Sequence, residues 1–220
     1  MRRWLRDHGL LLVNLGLFAV FLVAMTVVGV QVYNSNQLEH GESTVSWLGY
    51  LATGDFVEAT FENWESEFLQ MGAYVVLTVY LFQRGSSESK PVDEATPQDA
   101  DPRTQADRPG VPWPVRRGGW VLRIYENSLA IFFFLLFFAS FALHAAGGAA
   151  AYSAEELAHG GSPVGFWQYL ATPQFWFESF QNWQSEFLAV GAVVVLSIFL
   201  RQRGSPESKP VAAPHRQTGR

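Results

Sequence analysis

The segment Asn63-Trp64-Glu65-Ser66-Glu67 returns later as Asn182-Trp183-Gln184-Ser185-Glu186. In each copy an amide precedes a carboxylate by four residues, so a helix sets Asn63 beside Glu67 and Asn182 beside Glu186. Each glutamate opens a charge-free apolar run, 68–83 after Glu67 and 187–200 after Glu186. Two carboxylates backed by amides at the edge of apolar surface are suited to hold a cation or to take up protons, because ionisable groups at membrane depth face partners or water. The structural alternative, which we favour, puts both in the headgroup zone, accepting hydrogen bonds from Trp, Tyr or Asn side chains that fix a bundle. His40 and His159, each followed by glycine, could join the carboxylates as metal ligands. Yet each stands in a loop with no second ligand at tight spacing, the usual pattern of a turn or surface histidine.

Other chemistry is missing. There is no phosphate-cradling glycine loop, nucleophile elbow or HExxH. His144 pairs by register with Met25, so a bis-histidine haem has no support. The chain has no cysteine, which excludes disulfides and thiolate metal sites. No enzyme and no cofactor are expected.

The elements that must carry these residues follow from the charge-free stretches. Residues 10–38 and 127–153 contain no Asp, Glu, Lys or Arg, and each exceeds the roughly 20 residues that cross a bilayer as a helix. With the two shorter runs this predicts four membrane helices. The basic start MRRWLRDH could open a signal peptide, but the apolar stretch is longer than a signal core and lacks a small-x-small cleavage site, so a permanent anchor is expected.

Charge sorts the ends of those helices. All 15 Lys and Arg fall in the amino-terminal, middle and carboxyl-terminal segments, while residues 33–67 and 152–186 hold 11 of the 20 acids and no Lys or Arg. Basic segments stay in the cytoplasm during insertion, which predicts a multi-pass protein with both termini cytoplasmic. The basic side is expected to meet anionic lipid; no aromatic module accompanies it, and nucleic-acid binding is not expected.

A shift of 119 residues aligns 62–92 with 181–211 without a gap, 21 of 31 positions being identical. The register extends upstream: Tyr50-Leu51-Ala52-Thr53 meets Tyr169-Leu170-Ala171-Thr172. Each copy crosses twice, so the copies are parallel repeats about an axis along the membrane normal. The expected fold is all-α: an integral membrane four-helix bundle made of two parallel-oriented, duplicated two-helix hairpins with helical outer loops. The expected segments are a first hairpin at 1–84, a disordered cytoplasmic linker at 85–119, a second hairpin at 120–203 and a disordered tail at 204–220. Both polar segments carry RGSxESKPV and too little apolar surface to offset their ordering entropy.

Within the outer loops, Thr53 and Thr172-Pro173 read as helix starts. Val57, Phe61, Trp64 and Phe68 form one helical stripe, Glu58, Glu62 and Glu65 an opposite, solvated face. Trp64, Trp183, Tyr50 and Tyr169 are expected as interfacial aromatic anchors. Only 14 residues separate Glu186 from Arg201, about 21 Å of helix against roughly 30 Å of hydrocarbon. Either the arginine snorkels or the glutamate is drawn inward.

The strings HGxxxVxxxxYLATG and FENWESEFLQMGAY, between apolar arms and followed by FQRGSSESK, resemble a family of small bacterial membrane proteins characterised only as a domain of unknown function. The resemblance spans the chain apart from the connector. It implies four helices in a bacterial plasma membrane and brings no activity or catalytic residue with it. The second copy departs from it mildly, with Gln184 for Glu65 and Ala189 for Gln70. The expected role is a structural or partner-binding subunit, meeting lipid and a membrane-protein partner or a second copy of itself. The alternative is a small ion- or proton-coupled transporter using Glu67 and Glu186.

Overall fold

A computed structural model describes the chain from Arg2 to Gly219; the Arg2 side chain, and Met1 and Arg220 at the ends of the expected first and last segments, lie outside the described residues. Among those described the regular structure is helical throughout. In order come α1 (Arg2–Asp7), α2 (Gly9–Glu39), α3 (Trp47–Tyr50), α4 (Gly54–Tyr80), two 3-10 turns (Pro97–Asp99 and Pro102–Gln105), α5 (Trp113–Arg117), α6 (Gly119–Glu126), α7 (Ser128–Ala158), α8 (Phe166–Tyr169) and α9 (Pro173–Phe199). The bounds of α7, α8 and α9 are those of α2, α3 and α4 displaced by 119 residues.

Helices α2, α7 and α9 are long and apolar enough to cross a membrane. Only 6% of the most apolar stretch of α2 and of α9, and 22% of that of α7, is buried within the protein. Apolar surface on that scale suits lipid rather than water. The expected fourth span, α4, is not among them. Its polar Asn63, Glu65, Glu67 and Gln70 fall inside any window long enough to span, and the helix ends at Tyr80, before the apolar Leu81 and Phe82.

The threonines predicted to start the second helix of each hairpin do so. Thr53 Oγ1 accepts from Phe56 N and Thr172 Oγ1 from Phe175 N, both at 3.3 Å, satisfying a donor that a helix start leaves without a carbonyl partner. The same hydroxyls donate to Tyr50 O and Tyr169 O at 2.7 Å. At the far ends of α2 and α7 the chain turns through Gly41 (φ 73°) and Gly160 (φ 78°), a left-handed conformation that glycine adopts without strain.

The chain forms two compact units, one of residues 1–61 and 142–176, the other of 62–141 and 177–220. Each draws on both expected hairpins. In the first unit, two tyrosines fill matching notches. Tyr50 lies against Gly29 and Tyr169 against Gly148, so closely that a Cβ on either glycine would enter the ring. Tyr50 then meets Tyr33 at 5.8 Å and Phe56 at 5.6 Å between ring centroids; Tyr169 meets Tyr152 and Phe175 at those same distances. Both tyrosines, expected as interfacial anchors, are buried within the protein. Their rings are the right size for the space that glycine leaves on the facing helix.

The start of α4 crosses α7 through a second glycine pair. A Cβ on Gly54 would stand 2.6 Å from Ala151 N and Gly147 O, and one on Gly147 would stand 2.5 Å from Glu58 N. Small residues at such a crossing let backbones approach, the usual device of helix pairs in a membrane.

In the second unit Phe137 packs edge-on to Trp183 at 6.1 Å, and Gly72 lies against Phe133 and Phe134. The linker and tail, expected to be disordered, carry turns held by serine side chains. Ser89 Oγ accepts from Gln83 N at 3.0 Å, and Ser208 Oγ from Gln202 N at 2.9 Å. Hydrogen bonding by short polar side chains supplies what apolar burial does not. Lys209 is buried and donates to the carbonyls of Gly85, His215 (3.0 Å), Gln217 (2.9 Å) and Pro214 (3.5 Å).

Candidate functional site

The four polar residues singled out above all lie in the second unit. Asn63 and Glu67 are exposed, while Asn182 and Glu186 are half-buried. Asn182 turns its amide back onto its own helix, donating to Glu178 O at 3.2 Å. Glu186 lines a cleft of about 210 Å³ with Gln70, Tyr74, Glu88, Ala189, Val190 and Val193. Tyr74 Oη donates to Glu88 Oε2 at 3.4 Å on its wall. Of the four, only Glu186 lines this cleft.

A different carboxylate of that repeated phrase is buried. Glu65, assigned by helical spacing to a solvated face, is fully buried and accepts the indole N–H of Trp183 at 3.1 Å. The solvated-face expectation fails because Trp183 brings a donor that repays the lost hydration. The matching residue in the second copy, Gln184, is exposed. Both tryptophans are half-buried: Trp183 is held by Glu65, and Trp64 lies beside Phe68, with ring centroids 6.4 Å apart.

The structure brings His40 and His159 together, edge to face, with ring centroids 5.6 Å apart. Each ring is held by its own helix: Nδ1 contacts Asn36 O at 2.9 Å in one and Glu155 O at 2.8 Å in the other. With Nδ1 as the donor, Nε2 of each ring is the acceptor nitrogen. Both histidines are exposed and belong to the first unit.

The first unit also contains a cluster that sequence reasoning missed. Tyr169 Oη donates to Glu58 Oε1 at 2.7 Å. Glu58 and His144 offer ligand atoms within 4.8 Å of one another. His144 is fully buried, its ring stacked on that of Phe175 with centroids 4.7 Å apart and planes 30° apart. The signal was present in the register. His144 faces Met25 in the alignment and Glu58 faces Phe177, so both polar groups are unmatched. At the start of α4, ahead of its apolar run, Asp55 is held above the usual carboxylate range by burial and secondarily by the negative charge of Glu155. Tyr50 is pushed up by burial and then by Asp55.

Among the described residues the fold is that of a helical protein with three helices long and apolar enough to cross a membrane. The chain belongs to the family described as Domain of unknown function (DUF6766), whose model matches residues 1–220. Comparison with curated proteins and with solved structures finds no match.

Proposed function

We propose that the chain crosses a bacterial cytoplasmic membrane four times, as two duplicated hairpins with both termini inside, and serves there as a structural or partner-binding subunit. The contact between His40 and His159 carries the four-span reading. His40 closes α2 and His159 closes α7. Two exposed groups in contact lie on one side of a bilayer, so the chain between them crosses it an even number of times. Helix α7 accounts for one crossing, and α4 is the other long helix described between residues 41 and 127. The same parity holds between Gly85 and Lys209, with α7 and α9 between them. Matching helix bounds and matching tyrosine notches support the duplication.

A subunit role is supported by how two carboxylates, the buried Glu65 and the half-buried Glu58, are engaged. Glu65 is engaged by Trp183 and Glu58 by Tyr169, contacts that fix helices against one another. The chain has no cysteine, so single cysteines report topology directly. Ser43→Cys and Ser162→Cys are expected to react with an impermeant maleimide in intact cells, and Ala95→Cys and Ala212→Cys only after permeabilisation. Labelling of Ala95→Cys from outside overturns the four-span topology.

A second reading, ion- or proton-coupled transport, is favoured by one observation: the Glu186 cleft with Gln70, Tyr74 and Glu88. It expects ion-dependent flux in liposomes that is abolished by Glu67→Gln plus Glu186→Gln with little change in thermal midpoint. No flux in the wild type, with a large stability loss in the double variant, supports the subunit role instead.

A further inference from the structure

We propose that His40 and His159 together bind one divalent transition-metal ion through their Nε2 atoms. The site depends on neither the subunit role nor the number of membrane crossings. Each histidine is held in the same way. His40 caps α2 and His159 directly follows α7. Each Nδ1 contacts the carbonyl four residues back, Asn36 O at 2.9 Å and Glu155 O at 2.8 Å. A carbonyl oxygen can only accept, so Nδ1 carries the proton in both rings and the lone pair is left on Nε2. A backbone carbonyl on the far nitrogen is the usual outer-shell support of a ligating imidazole, fixing its tautomer and ring orientation.

Two rings prepared in this way meet. Their centroids are 5.6 Å apart and their planes are inclined at 74°. Two imidazoles that share one ion, with bonds of about 2.1 Å at a tetrahedral angle, have centroids roughly 5 Å apart. A modest side-chain rotation therefore brings both onto one ion. Both rings are exposed and belong to the same compact unit, so an ion reaches them from solvent.

Helix capping accounts for the two Nδ1 contacts. It does not account for the pairing of two groups that repel once both are protonated, which a shared ion does. The surrounding charge also favours a cation. Glu39 and Glu42 flank His40, Glu155 and Glu156 precede His159, and residues 33–61 and 152–176 contain no Lys or Arg. The register gives one ligand from each copy, since His40-Gly41 aligns with His159-Gly160. Imidazole donors suit copper, nickel and zinc, and the chain has no cysteine thiolate to compete for them. Among the described residues no carboxylate closes a three-ligand cluster with this pair, which leaves the remaining positions to water.

The test uses the full chain, purified in detergent without a histidine tag and stripped with a chelator. His8→Ala plus His215→Ala serves as background, removing the other exposed histidines. Titration with Cu²⁺ alone, the ion that such a site holds most tightly, is expected to give one equivalent bound. Its electron paramagnetic resonance spectrum should show two nitrogen donors. His40→Gln and His159→Gln, each in that background, should lose the two-nitrogen signature and weaken binding by at least about tenfold, the smallest usual effect of losing an outer-shell partner. Thermal midpoints measured without metal should match the background, because both side chains are exposed. Absence of binding in the background chain overturns the proposal, as does a single nitrogen donor there. Binding that survives either substitution unchanged overturns it too.

Discussion

The indole N–H of Trp183 reaches the buried carboxylate of Glu65 at 3.1 Å. It joins two helices whose sequences are nearly the same phrase. Hydrogen bonds to charged acceptors are among the stronger ones, and a buried acceptor left without its donor loses more than the bond. Glu65→Ala is expected to lower stability by about 2 kcal/mol, and Glu65→Gln by less, since an amide oxygen still accepts. A double-mutant cycle with Trp183→Phe should give a coupling of about 1 kcal/mol. Thermal unfolding in detergent measures it, and additive losses would show that the contact contributes little.

The glycine crossing predicts a position-specific response to one methyl group. At Gly54 and Gly147 the nearest atoms in the way belong to backbone, which cannot move aside as a flexible side chain can. Gly54→Ala and Gly147→Ala should each lower stability by about 1–3 kcal/mol. Gly16 and Gly191 have nothing within 4 Å of an added Cβ. Alanine at either should be neutral or slightly stabilising, through better helix propensity.

Asp55 predicts a pH dependence. Its carboxyl is raised above the ordinary value of 3.8 by burial and by Glu155. The folded state therefore binds its proton more tightly than the unfolded state. The resulting stabilisation is complete below 3.8 and is lost as pH rises through the higher folded value. Asp55→Asn should raise the thermal midpoint at pH 7 and lose that advantage as the pH falls towards 4. An equal gain at both pH values would assign the effect to something other than ionisation.

The carbonyl nest around Lys209 predicts a protease phenotype. Its Nζ joins the tail to Gly85 and to Pro214, His215 and Gln217. Lys209→Met removes the donors and should speed tryptic cleavage at Arg203 and Arg216 severalfold. Mass spectrometry of the released tail reads this directly, and unchanged cleavage rates would show that the nest does not restrain the segment.

Spacing and chemistry made the helix starts legible, because Thr53 and Thr172 cap with their own side chains and need no distant partner. The apolar runs were legible for the same local reason. The burial of Tyr50 and Tyr169 was not legible, because composition does not show that a glycine on another helix opens a notch for each ring. Glu65 was misread likewise: its burial depends on Trp183, 118 residues away. His144 was visible as the unmatched member of an aligned pair, yet its meaning emerged only with Glu58 and Tyr169 beside it.

The unmatched residues also bear on how the two halves relate as units of inheritance. A chain built from two copies of 1–84 would carry Glu58 and no His144; one built from two copies of 120–203 would carry His144 and no Glu58. Neither half can stand in for the other, and a self-pairing single hairpin could not assemble the Glu58–His144 pair. Joining the halves in one polypeptide fixes their stoichiometry at one to one and lets each side diverge without spoiling its neighbour.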